Sequence, residues 1–259
     1  MSNIELIKTL NKRTGAGLMA CKVALVKNDN DLDKAGDWLR KEGLVKLVNK
    51  SDRVASEGVC VVMSNDKRTV LVEVNCETDF VARCVEFNNY VSKIVKVLLN
   101  DGSQDEIDKI VTDAYVQLRE RILVRRTKVI DHQDGRYVFN YTHLNSKIVT
   151  SVTLDTNDAT LGKQIAMQVA ASKPLYISES DVSQDELNRE YEIQKSITLN
   201  QGKVKPEMVD KIVGNRVKAH FKELSLLSQP FLFDSSKTVE QILKNCKVLQ
   251  FTRFQVGEN

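Results

Sequence analysis

The residues that could do covalent chemistry in this chain are few and badly spaced for it. The three histidines, His132, His143 and His220, form no metal-ligand spacing, and no nucleophile motif occurs. The five cysteines are odd in number, scattered, and contain no CxxC, which argues against both a disulfide framework and a zinc site. They read as buried thiols; Cys76 and Cys84 could form a reactive pair, but Cys84 falls in an apolar helical stripe where packing is the better reading. No metal and no cofactor is expected. What remains is a chemistry of contact, concentrated in Val74-Asn75-Cys76-Glu77-Thr78-Asp79-Phe80-Val81-Ala82-Arg83.

The elements around this stretch must present it. Upstream, Arg68 to Val74 is rich in β-branched residues and half alternating, so it reads as a strand with a buried face. From Phe80 the apolar residues recur at Val81, Cys84, Phe87, Val91, Ile94, Val95 and Leu98, which predicts one helix over 80–99 with Thr78 as N-cap. Asp79 then sits in the first turn, where its charge suits the helix dipole. Phe80 lies about 100° round from Val81 and points outward if the stripe faces the core. An acid beside a projecting aromatic at a helix tip is suited to touching a partner. The same residues also fit a first-turn acid and an aromatic that closes the bend.

With 259 residues, 42% of them hydrophobic, the chain can bury a real core in one large or two to three small domains. Its 28% charged residues leave a net charge of only +3, a small surplus for a dedicated nucleic-acid binder. The first residues lack a basic and then apolar leader, and no window approaches 18 apolar residues. A cytoplasmic protein with no membrane span is expected.

Three short helices are predicted before Leu44, with Ile4, Ile7 and Leu10 on one face of the first and Gly43 capping the third. The turn between the first two, Arg13 to Met19, holds only two glycines and no following Gly-Lys-Ser/Thr, so it is no phosphate loop. A polar linker precedes a hairpin of 59–63 and 69–74 around Asn65-Asp66-Lys67. Ile107 to Leu118 continues as an amphipathic helix, and strands follow over 123–130, 136–143 and 147–154, then a helix over 160–172 stopped by Pro174. Strands followed by helices, twice over, predict an α+β fold of two similar halves, each an antiparallel sheet with helices. Asp155 to Asp158 echoes the first bend without its Asp-Phe pair. Ser183 caps a polar helix, Gln201-Gly202-Lys203 breaks it, and Pro206 opens the next.

Asn75 to Arg83 closely resembles the signature of the elongation factor Ts family, whose members exchange the nucleotide of elongation factor Tu. Thr9-Leu10-Asn11-Lys12-Arg13-Thr14-Gly15-Ala16-Gly17-Leu18-Met19-Ala20-Cys21-Lys22 is similar to that family's N-terminal three-helix, ubiquitin-associated-like module. Ile165 to Pro174, Lys211 to Lys218 and Leu226 to Leu243 carry the resemblance along nearly the whole chain. It implies a module over 1–45, a linker over 46–56, a first core half over 57–122, and a second over 123–259 that includes helical residues 183–227 and a C-terminal strand. It also implies that Thr78, Asp79, Phe80 and Val81 engage elongation factor Tu in its GDP-bound and nucleotide-free states. Leu18, Met19 and Lys22 would face the same partner, and His143 would lie near the interface. Read without the family, Leu18 fits core packing, Lys22 a solvated charge and His143 an edge-strand polar residue. The chain departs from the family pattern at Asn11, at Leu144-Asn145-Ser146 and at Gln168. It stops soon after Glu258, where some relatives continue into a further helix. A homodimer of the complex is left open.

Two other classes of function compete. An RNA-binding translation factor would use the basic cluster Arg119, Arg121, Arg125, Arg126 and Lys128, which carries no interleaved Tyr or Phe for stacking and reads better as a solvated face. An enzyme would need a constellation that the residues do not supply.

Overall fold

The computed structural model describes residues 3–14, 18–36, 38, 39, 55–200 and 208–258. It is α+β and divides into two compact units, the first comprising Met1–Asp131, Thr142–Val149 and Phe254–Asn259, the second His132–Tyr141 and Thr150–Arg253.

In the first unit, α1 (Asn3–Thr14) and α2 (Leu18–Lys27) precede α3 (32–36), with 38 and 39 again helical. Leu10, Cys21, Ala24, Leu25 and Ala35 are buried together, packed by Leu6, Ile7 and Trp38. Ile4, expected on this face, is exposed. At about 100° per residue it stands some 120° round from Leu10, so the seam runs through Leu6, Ile7 and Leu10 instead. Gly15, Gly17, Gly43 and the linker up to 54 lie outside the described residues.

β1 (Glu57–Ser64), β2 (Arg68–Cys76) and β3 (Leu123–Asp131) form an antiparallel sheet in the order β1-β2-β3. The Asn65 side chain accepts the N–H groups of Lys67 and Arg68, both at 2.9 Å, which closes the predicted hairpin. Central β2 is buried from Thr69 to Cys76. Gly58 has φ +146, and a Cβ there would stand 2.2 Å from the Val74 carbonyl oxygen, so this crossing admits only glycine. β3, expected to open the second half, pairs with β2, with Glu73 opposite Arg126. Residue periodicity marks a strand but not its partner, and this pairing joins segments some fifty residues apart.

The predicted helix over 80–99 is two helices, α4 (Asp79–Arg83) and α5 (Val85–Leu99). Cys84, extended at φ −73 and ψ 150, ends one and starts the other: its N–H donates to Val81 O, and its Sγ accepts the Phe87 N–H at 3.4 Å. A cap made by a thiol is invisible to apolar periodicity, which runs on through the break. α6 (Gln104–Leu118) is capped by Ser103. Val70, Val72, Val74 and Cys76 of β2 meet Phe87, Val91, Ile94 and Val95 of α5 and Ile107 and Ala114 of α6 in one core.

The second sheet runs β4 (Tyr137–His143), β5 (Ile148–Leu154), β8 (Val248–Gln255). α7 (Ala159–Ser172), capped by Asp158, packs through Ile165, Ala166 and Val169 with Val152 and Leu154. A Cβ on Gly162 would fall 2.2 Å from the Phe139 ring. Gly162→Ala is therefore expected to destabilise the second unit by about 1 to 3 kcal/mol through overpacking, despite alanine's better helix propensity. Thermal unfolding beside Gly214→Ala, which meets nothing within 4 Å, measures this. α8 (Gln184–Asn200) and α9 (Val209–Leu224) share a small core of Leu187, Tyr191, Val213, Val217 and Phe221. The Ser183 hydroxyl accepts the Glu186 N–H at 3.3 Å, as its predicted capping role requires. Pro206 and Gly202 lie outside the described residues. A short hairpin, β6 (Pro230–Phe231) with β7 (Asp234–Thr238), leads to α10 (Val239–Leu243).

Candidate functional site, the tip at Thr78 to Val81

β2 runs out at Cys76, whose buried thiol donates to the Thr78 carbonyl at 3.2 Å. Burial, and secondarily the negative charge of Glu120, push this thiol up to about 12. Its folded value lies above that of a free thiol, so the thiolate is suppressed below about pH 12. Cys76 is expected to stay unalkylated by iodoacetamide at pH 8 in the folded chain and to react fully in urea, as peptide mass mapping would show.

Thr78 is extended, at φ −123 and ψ 153, and its hydroxyl oxygen accepts the Val81 N–H at 3.3 Å, which makes it the N-cap that the sequence implies. Glu120, in the loop before β3, holds the bend from the other side. One carboxylate oxygen accepts the N–H groups of Glu77 and Thr78, each at 3.0 Å. The other accepts the Thr78 hydroxyl proton at 2.6 Å. Glu77 reciprocates by accepting the Arg121 N–H at 2.8 Å.

From this cap α4 places Ala82 in the core, Val81 half in it and Phe80 outside, 82% exposed. Asp79 meets Arg83 one turn on, at 3.1 Å on the surface, a pair worth under about 1 kcal/mol. The arrangement has no reacting constellation. It is a braced tip with an aromatic ring extended into solvent.

Thr78, Asp79, Phe80 and Val81 thus come together on one element, while the other sequence-nominated residues stand on different ones. Met19 is 72% exposed on α2 with Lys22 exposed one turn on, and the Leu18 side chain lies outside the described residues. His143 is exposed at the end of β4. In the turn after it, Leu144, Asn145 and Ser146 all take positive φ, 50, 49 and 66. Gln168 is buried and accepts the Leu232 N–H at 2.7 Å, tying α7 to the β6–β7 hairpin.

Sequence reasoning missed two carboxylates, Glu120 and the buried Glu73. Glu120 falls inside the basic cluster and Glu73 inside a strand, and neither position carries a local signal of its role. Glu73 is fully buried, accepting from Arg126 Nε at 2.7 Å and from the Gly257 N–H at 2.8 Å, with Arg125 at 3.7 Å. The Arg126 guanidinium also donates to Gln255 O at 2.9 Å and lies over the Phe254 ring. The basic cluster is therefore not simply the solvated face expected of it: Arg125 and Arg126 are largely engaged within the fold, which removes charge from the RNA-binding alternative. Among the described residues no group of three His, Cys, Asp or Glu side chains could hold a metal ion, and no helix is long and apolar enough to cross a membrane.

The family model described as Elongation factor TS matches residues 77–258, starting one residue before the cap. The chain is 38% identical to elongation factor Ts of Limosilactobacillus reuteri (strain DSM 20016) over 267 aligned positions, covering 97% of this chain and 91% of the relative. The chain belongs to the elongation factor Ts family, proteins of translation elongation.

Proposed function

We propose that this protein is the guanine nucleotide exchange factor of elongation factor Tu, working in the cytoplasm and performing no covalent chemistry itself. The observation that carries the reading is Phe80, 82% exposed at the end of a bend held by a threonine cap and a carboxylate clamp. A GTPase holds its nucleotide through phosphate and magnesium contacts, and an exchange factor binds the state in which they are loosened. Factor and nucleotide then weaken each other by the same free energy. Phe80 is the wedge on the phosphate and magnesium side of the partner's site, and Asp79 its polar companion, with Thr78 and Val81 setting their direction.

Magnitudes say that the wedge does not act alone. A ten-thousandfold acceleration needs about 5 to 6 kcal/mol, whereas burying one phenylalanine supplies about 1.5 to 3 kcal/mol. The rest comes from docking elsewhere: Leu18, Met19 and Lys22 of a ubiquitin-associated-like N-terminal module, and His143 in the second of two α+β halves. The exposure of Met19 and His143 supports this assignment.

The test is release of fluorescent GDP from elongation factor Tu at physiological magnesium, with and without this protein. Strong acceleration by the intact chain, lost in Asp79→Ala/Phe80→Ala, supports the reading. A folded chain that leaves the release rate of a cognate partner unchanged rejects it.

A further inference from the structure

We infer that Glu120 is the positioning residue of the exchange tip, a clamp that presents Phe80 in its working pose before any partner arrives; this rests on the exchange-factor reading. α4 is five residues long, too short to hold its own direction. What directs it is the hydroxyl of Thr78, which accepts the Val81 N–H and donates its proton to Glu120. The same carboxylate takes the N–H groups of Glu77 and Thr78, so three donors of the bend converge on one side chain. Without it the hydroxyl is free to rotate and two amides lose their acceptor.

Glu120 is itself held on both sides. Arg119, left-handed at φ 59, ends α6 with its N–H on the Tyr115 carbonyl at 2.8 Å and turns the chain toward the bend. Ile122 is buried two residues on. The return bond from the Arg121 N–H to Glu77 makes the link between the two loops reciprocal. Glu120 does not share the exposure of Phe80, so its part in exchange is exerted through the tip. A preorganised tip spends none of its binding free energy on ordering itself, and that free energy is left to distort the partner.

Two measurements test the clamp. In the free chain, Glu120→Ala should release the Glu77 and Thr78 amides to fast hydrogen exchange while the β2 amides stay protected, a result that needs no partner. In fluorescent GDP release from elongation factor Tu, Glu120→Ala should cut the rate at saturating factor about tenfold, with half-saturation moved less than threefold. Glu120→Gln keeps one carbonyl oxygen for the two amides but puts an NH2 where the Thr78 hydroxyl proton needs an acceptor, so it should fall between. In a Phe80→Ala background Glu120→Ala should cost less than a further twofold, because the clamp acts only through the ring. The same tenfold loss in both backgrounds, or unchanged protection of the two amides, overturns the inference. If instead the intact chain fails to accelerate release while Glu120→Ala still exposes the amides, the clamp stands and the exchange reading falls.

Discussion

Phe80→Ala should slow GDP release from elongation factor Tu much more than it weakens the complex. The ring is 82% exposed in the free chain, so its removal leaves no cavity and the fold should melt where it did before. On the proposed wedge role, its apolar surface is buried only on the partner. If that burial is realised fully when the nucleotide site is distorted, the loss of about 1.5 to 3 kcal/mol falls on the rate, roughly ten- to a hundredfold at about 1.4 kcal/mol per decade. On the proposed docking, binding to the nucleotide-free partner is shared with Met19 and Lys22 of the N-terminal helices and with His143, and should drop by a smaller factor. Stopped-flow release rates set beside equilibrium affinities decide the matter: a proportional fall in both would mean that Phe80 contributes uniform binding and is no wedge. Asp79→Ala removes only a surface pair with Arg83 from the free chain, so any larger effect reports its contact with the partner.

The second large effect concerns stability. Glu73→Ala should destabilise the first unit by about 3 to 5 kcal/mol, because it strands the Arg126 guanidinium and leaves the Gly257 N–H without its acceptor. Urea denaturation followed through the first unit would show an early transition and faster proteolysis near residues 254–257, which Arg126 and Glu73 hold by three contacts. Glu73→Leu combined with Arg126→Met should recover part of the loss, since no charge is then buried alone, but the Gly257 amide stays unsatisfied. Full additivity of the two single losses would show that the pair is not one interacting unit.

The strand leading into the bend, read to Val74 and observed to Cys76, the cap at Thr78 and the outward Phe80 were readable from residue order, because each is local: β-branched alternation, a hydroxyl three residues before an amide, and a 100° step between neighbours. The break at Cys84 was not, since a thiol cap leaves the apolar spacing undisturbed. Nor was the loss of free charge from Arg125 and Arg126, which depends on a carboxylate in another strand.

By itself, then, the sequence determined the α+β class, the family, and the local shape of the bend at Thr78, all through patterns that span a few neighbouring positions. Tertiary structure alone decided that β3 joins β2, that Glu73 is buried under two arginines, and that Glu120 reaches across some forty residues to hold Thr78. Such pairings are chosen by which distant carboxylate, amide and guanidinium groups find each other once the core excludes water, and no local spacing encodes that choice.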